Sequence, residues 1–230
     1  MTLLLVPGFW LGAESWGEVT RHLGEAGADW TALTLPGLER DISDVGTVRL
    51  VDQIAAVVTA VESTNGNVVL VGHSAAGPIC HAAAARVAGK IRRVVHVDTW
   101  PLGPGLSINA DIAEGVDVIG FPDWDIFEPE DLVDMTGPLR ERLRSESRPQ
   151  PAAIARDPLP ELTADRLAIP TTIICCEFTA DQLGKWMLSE PERFSELRQL
   201  SDVSYIELPT GHWPQFTKPR ELAAALLSVT

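Results

Sequence analysis

The chain has 230 residues, 45% hydrophobic and 22% charged, a composition that suits one globular domain with a large core and no second independent unit. Its formal net charge of −14 argues against nucleic acid or an anionic membrane as partner, because both would repel it, and favours a small neutral or apolar ligand. No stretch approaches bilayer-spanning length, residues 3–6 are too short and lack the basic flank of a secretory signal, and three cysteines, two of them adjacent at Cys175 and Cys176, give no disulfide framework; a cytoplasmic location is expected.

Residues 3–6, all apolar, read as a buried strand that stops at the glycine loop Pro7-Gly8-Phe9-Trp10-Leu11-Gly12. Residues 16–26 read as an amphipathic helix with Trp16, Val19 and Leu23 on one face. A second strand is expected over 32–35, where Pro36-Gly37 ends it, followed by a polar, acidic loop over 38–47. The helix expected over 48–62 carries Leu50, Ile54, Val57, Val58 and Val61 on one side, and Asn65-Gly66-Asn67 turns the chain into a β-branched strand over 68–71. An alanine-rich helix over 75–88 and a strand over 93–97 that ends at Asp98 come next.

The alternation breaks over 101–167, a stretch with glycines, prolines and one acidic helix candidate at 130–145. It resumes with a strand over 170–176, helical stretches at 182–188 and 193–200, a strand over 203–208, the turn Thr210-Gly211-His212-Trp213-Pro214 and a closing helix over 219–227 with proline in its first turn. Short apolar strands alternating with helices imply an α/β fold, a mostly parallel sheet covered on both faces. The core is then formed by 1–100 and 168–230, with 101–167 as a cap insertion over the end of the sheet.

The apolar run over 68–71 stops at Gly72-His73-Ser74-Ala75-Ala76, a serine between small residues. This is the nucleophile-elbow pattern, with strand before and helix after; bulky side chains two positions either side of the serine would collide in so sharp a turn. Of the five histidines, His96 lies inside an apolar strand and is expected to be a satisfied core residue, His22 and His81 lie on helices, and His73 faces away from the nucleophile. His212 alone follows a terminal strand, and in a parallel sheet the C-terminal ends of the strands gather at one edge. Ser74 and His212 should therefore meet there, the imidazole removing the hydroxyl proton. Activity is expected to fall as that imidazole protonates, near or somewhat below neutral pH. The carboxylate that orients it could come from Asp98, Asp181 or Glu177.

The stretches Val6-Pro7-Gly8-Phe9-Trp10-Leu11-Gly12 with Ser15-Trp16, Leu35-Pro36-Gly37, Gly72-His73-Ser74, Val97-Asp98 and Gly211-His212 resemble those of α/β-hydrolases, and are similar to the branch containing the plant methylesterases and hydroxynitrile lyases. The resemblance implies an oxyanion hole made by the backbone N–H groups of Phe9 and Ala75. It implies an acid a few residues beyond the strand over 172–176, near Thr179, a place this chain does not fill: Glu177 comes early and Asp181 late, opening a helix as its cap. Some α/β-hydrolases take the acid from the strand that ends at Asp98, and Asp98 is the expected acid, with Asp181 the alternative. Relatives usually carry histidine where this chain has Pro7, a residue whose role is mainly structural. The lyases carry lysine directly after the catalytic histidine, where this chain has Trp213, so cyanohydrin cleavage is disfavoured.

The expected function is a serine hydrolase acting on an ester or lactone of a small, mostly apolar molecule, needing no cofactor or metal and working as a monomer or homodimer. A cofactor-independent lyase and a non-catalytic small-molecule binding protein are the alternatives. Trp10, Trp100, Trp124, Phe127 and Trp213 are the expected substrate-binding residues, their large apolar rings lying near the mouths of the strands or in the insertion.

Overall fold

The computed structural model describes residues 1–41 and 44–230; residues 42 and 43, inside the expected acidic loop, lie outside the described residues. The strands are β1 (Thr2–Val6), β2 (Asp29–Ala32), β3 (Val68–His73), β4 (Ile91–Val97), β5 (Val118–Ile119), β6 (Gln150–Pro151), β7 (Thr171–Cys175) and β8 (Val203–Glu207). The helices are α1 (Gly17–Glu25), α2 (Leu50–Ser63), α3 (Ala76–Arg86), α4 (Gly137–Glu146), α5 (Ala152–Arg156), α6 (Ala180–Ser189), α7 (Pro214–Thr217) and α8 (Pro219–Ser228). Six strands form one sheet in the order β2-β1-β3-β4-β7-β8, parallel at every pairing. The remaining two, β5 and β6, pair with each other antiparallel inside the 101–167 segment.

Period-two alternation sends successive side chains to opposite faces. Leu4, Val6, Leu70 and Val94 pack against Ile54 and Val57 of α2 and Ile79 of α3. Leu3, Leu5, Val69, Val71 and Val95 pack on the other side against Trp16, Val19 and Leu23 and against Leu222 and Leu226 of α8. Burial on both faces explains why β1, β3 and β7 read as nearly unbroken apolar runs. Among the described residues no helix is long and apolar enough to cross a membrane.

The second strand occupies Asp29–Ala32, not 32–35. It is the edge of the sheet, paired from Thr2↔Asp29 to Leu5↔Ala32, and its side chains are largely exposed, so the expected apolar signal is absent where the ladder forms. The helix expected at 130–145 starts only at Gly137, with Pro138 in its first turn; residues before it turn, with Asp134 at φ 62°. At 193–200 the chain makes only a 3₁₀ turn, Leu197–Gln199. The buried residues there, Phe194, Leu197 and Leu200, recur every third position, which is the period of a 3₁₀ rather than an α-helix.

The 101–167 segment lies at the edge where β3, β4 and β7 end. Its Asp131 and Val133 carbonyls accept the backbone N–H groups of His212 (2.9 Å) and Gly211 (3.1 Å), and its Arg148 N–H donates to the Trp10 carbonyl at 2.8 Å.

Candidate active site

Ser74 sits one residue past β3 with φ 52°, in the left-handed region that a non-glycine residue occupies only when its surroundings hold it there. Its N–H donates to the Val97 carbonyl at 3.0 Å, extending the β3–β4 ladder into the turn. The turn needs its small residues: a Cβ on Gly72 would stand 2.5 Å from the Ala76 carbonyl oxygen, and one on Gly8 would stand 2.8 Å from Ser74 Cβ. Gly8 thus lets the loop after β1 lie directly on the elbow. Neither the Phe9 nor the Ala75 N–H has an acceptor among the described residues.

His212 follows β8, on a loop where a side chain at Gly211 would strike the Asp131 carbonyl. His212 Nε2 lies 2.8 Å from Ser74 Oγ and Nδ1 lies 2.8 Å from Asp98 Oδ2. Asp98 is buried, at φ 52°, and its other oxygen accepts the N–H groups of Cys176 (3.0 Å) and Glu177 (3.1 Å). Three strand ends therefore converge on one hydrogen-bonded chain: Ser74 after β3, Asp98 after β4, and the backbone after β7 that fixes the Asp98 carboxylate.

Asp181 is exposed in the first turn of α6 and is not part of this chain of contacts; the cap of that helix is Thr179, whose hydroxyl accepts the Gln182 N–H at 3.1 Å. Glu177 is closer than counting along the strand suggests. Its Oε2 lies 3.3 Å from His212 Nδ1. Burial acts to lower the His212 pKa, but the hydrogen bonds and charges of Asp98 and Glu177 outweigh it and raise the pKa to about 10. This direction is opposite to the expected ionisation near or somewhat below neutral pH, because two carboxylates face the imidazole.

His73 does not simply face away. Its Nε2–H donates to the His212 carbonyl at 2.6 Å, and its Nδ1 accepts from the Gln215 amide at 3.3 Å. Burial, with the nearby His212 charge, lowers its pKa to about 3, so it stays neutral. His96 is fully buried but not satisfied: among the described residues neither ring nitrogen has a hydrogen-bond partner, and burial holds its pKa well below the usual value.

A cavity of about 160 Å³ opens beside Ser74, lined among others by Trp100, Leu102, Ile108, Glu177 and Arg193. Trp100 is packed by Phe178, Trp186 and Phe194, and the Arg193 guanidinium stands 5.6 Å from its ring centroid. Of the five aromatic residues expected to bind substrate, Trp100 alone lines this cavity. The other four form a separate aromatic cluster: Phe127 meets Trp213 edge-on at 5.1 Å, Trp124 meets Trp213 at 6.2 Å, and Trp10 meets Phe127 at 6.5 Å. The Trp10 indole N–H donates to the Ile119 carbonyl at 3.2 Å. This cluster joins the 101–167 segment to the histidine loop. Arg193 carried no sequence signal as a cavity residue, because its approach to Trp100 is made by the tertiary fold.

Asp98, Glu177 and His212 offer three ligand atoms within 4.8 Å of one another, but the His212 nitrogen involved already faces the Asp98 carboxylate at hydrogen-bond distance, so the set is occupied internally.

No curated protein sequence matches the chain. Solved structures similar to it include an extracellular alpha/beta-hydrolase from a Paenibacillus species, described as sharing homology with tobacco salicylic acid binding protein 2 (20% identity, TM-score 0.79, covering 100% of this chain and 98% of that one). A methylesterase from Arabidopsis (21% identity, TM-score 0.74, covering 99% and 98%) and polyneuridine aldehyde esterase (18% identity, TM-score 0.74, covering 99% and 98%) are also similar. Residues 3–225 match the model of the alpha/beta hydrolase family, and the chain belongs to that family.

Proposed function

We propose that the protein is a serine hydrolase that cleaves an ester or lactone of a small, mostly apolar molecule. The observation that carries this reading is the unbroken sequence of contacts from Ser74 Oγ through the His212 imidazole to Asp98, each 2.8 Å long, beside a cavity of about 160 Å³ with Trp100, Leu102 and Ile108 in its wall. In its neutral form His212 takes the Ser74 proton at Nε2 as Oγ attacks the acyl carbon. The oxyanion that forms is met by the unengaged N–H groups of Phe9 and Ala75, donors whose loss costs about 10²–10³ in rate in such sites. Collapse breaks the bond to the alcohol oxygen, which receives the proton from His212. Water then attacks the acyl-enzyme, giving its proton to His212, and Ser74 recovers it as the acid leaves.

The 101–167 segment acts as a cap, supplying Leu102 and Ile108 to the cavity wall. Esterase and methylesterase neighbours in the fold support the ester reading, and the buried free thiols of Cys80, Cys175 and Cys176 support a reducing, cytoplasmic location. Hydrolysis of short p-nitrophenyl esters by the protein, abolished in Ser74→Ala with an unchanged melting temperature, is the expected result. Equal activity in the variant would end the serine mechanism, and no activity in the unaltered protein on esters or lactones would favour a binding protein.

A further inference from the structure

We propose that Glu177 is a second carboxylate partner of the catalytic imidazole, a positioning residue that adds its charge to that of Asp98 at His212 Nδ1. The inference rests on the serine-hydrolase reading above and adds a residue to it.

Two carboxylate oxygens from different strand ends face one nitrogen: Asp98 Oδ2 at 2.8 Å and Glu177 Oε2 at 3.3 Å. The two acids are mechanically linked, because the Glu177 N–H is one of the two donors that hold Asp98 Oδ1. A shift of either acid therefore moves the other. Asp98 is the nearer partner and has only Oδ2 left to face the histidine, since Oδ1 is taken. Among the described residues Glu177 Oε2 is shielded from solvent and accepts no hydrogen bond of regular geometry, and the imidazole nitrogen stands 3.3 Å from it. As His212 gains its proton in the transition state, a second negative charge at this distance stabilises the imidazolium, more strongly once substrate fills the Glu177-lined cavity and displaces water.

The ionisable groups around the ring come from four elements. They are Asp98 after β4, Glu177 after β7, the neutral His73 of β3, and Asp131 from the 101–167 segment. Asp134, on the same segment, is held by the Thr210 hydroxyl and lies 3.6 Å from Lys218. Asp131 stands beside Glu177. Its Oδ2 accepts the Glu128 N–H at 2.9 Å, and burial together with the hydrogen bond and charge of Glu177 raises its pKa to about 6. The proposed cap thus reaches the catalytic base through a carboxyl pair as well as through its grip on the histidine backbone.

The test compares the unaltered enzyme with Asp98→Asn, Glu177→Gln and the double variant, measuring kcat/KM on a p-nitrophenyl ester from pH 5 to 10, with melting temperatures. Glu177→Gln is expected to move the acid limb down by about one pH unit, as removal of one neighbouring opposite charge does. Asp98→Asn is expected to lose about 10²-fold, and the double variant the 10³–10⁴-fold, in round figures, of a histidine with no orienting carboxylate. Glu177→Gln thus costs more when Asp98 is gone. Glu177→Asp, which keeps the charge, is the control expected to leave the acid limb in place, and Glu177→Ala, expected to move it as the glutamine variant does, serves as the probe if that variant folds poorly. An unmoved acid limb in Glu177→Gln, or the same fractional loss in both backgrounds, would overturn the proposal. Loss of all activity in Ser74→Ala in the same series would show that only the role of Glu177, not the hydrolase reading, had failed.

Discussion

His73 and His212 are joined by a 2.6 Å hydrogen bond from the first ring to the second residue's carbonyl, with ring centroids 5.1 Å apart. The residue directly before Ser74, the proposed nucleophile, therefore fixes the backbone of His212, the proposed base. His73→Leu removes that donor and leaves a shielded carbonyl unpaired, a loss of about 1–3 kcal/mol. Because a displaced base misses the attack geometry, kcat should fall by up to about 10²-fold while KM changes little. Thermal unfolding and steady-state kinetics on the purified variant check both effects.

The two carboxylates at His212 set the direction of the pH dependence. With a folded pKa raised to about 10, the imidazole is protonated over much of the neutral range and cannot accept the serine proton. The account predicts kcat/KM still rising between pH 7 and pH 9. The same ionisation contributes stability that is full below the unfolded pKa of about 6.5 and is lost as pH rises through the folded value. Melting temperature and activity should therefore move in opposite directions over this interval. A profile already level at pH 7 would contradict this.

Trp100 and Phe127 distinguish the cavity wall from the packed aromatic cluster. Trp100 faces the cavity, so Trp100→Ala should redistribute KM and preference among acyl groups. Phe127 lies in the cluster with Trp213 and Trp124, so Phe127→Ala should lower stability by about 1–3 kcal/mol and reduce turnover on every ester by a similar factor. A panel of esters with varied acyl and alcohol groups distinguishes the two patterns.

The sequence made the elbow legible because steric demand there is local: only small residues fit at Gly72 and Ala76. Asp98 and His212 were legible because parallel strands deliver their C-terminal ends to one edge. Glu177 was passed over because counting residues from the strand ignores the turn in which its N–H bends back to Asp98, carrying its side chain to the imidazole. The aromatic residues were ambiguous for a different reason. A pocket wall and a packed interface demand the same large apolar rings, and only the fold separates Trp100 from Trp124, Phe127 and Trp213. Edge strands were the weak point of the fold reading, since Asp29–Ala32 pairs through its backbone while showing polar side chains to water.

His96 is a polar ring in the core with both nitrogens unpartnered among the described residues, and burial depresses its pKa. The unfolded chain binds a proton there that the folded chain refuses, so stability falls as pH drops below about 6.5. His96→Leu, of similar volume, is expected to leave neutral-pH stability equal or higher and to move the acid-unfolding midpoint to lower pH. Acid titration followed by circular dichroism reads this directly.

The central claim is that Ser74 is a nucleophile activated by His212. A fluorophosphonate probe, followed by intact mass and peptide mapping, tests it without knowledge of the natural substrate. The account predicts one adduct per chain, on Ser74, slowed by orders of magnitude in His212→Ala and absent in Ser74→Ala. Labelling of another residue, or labelling of Ser74 at the same rate without His212, would contradict it.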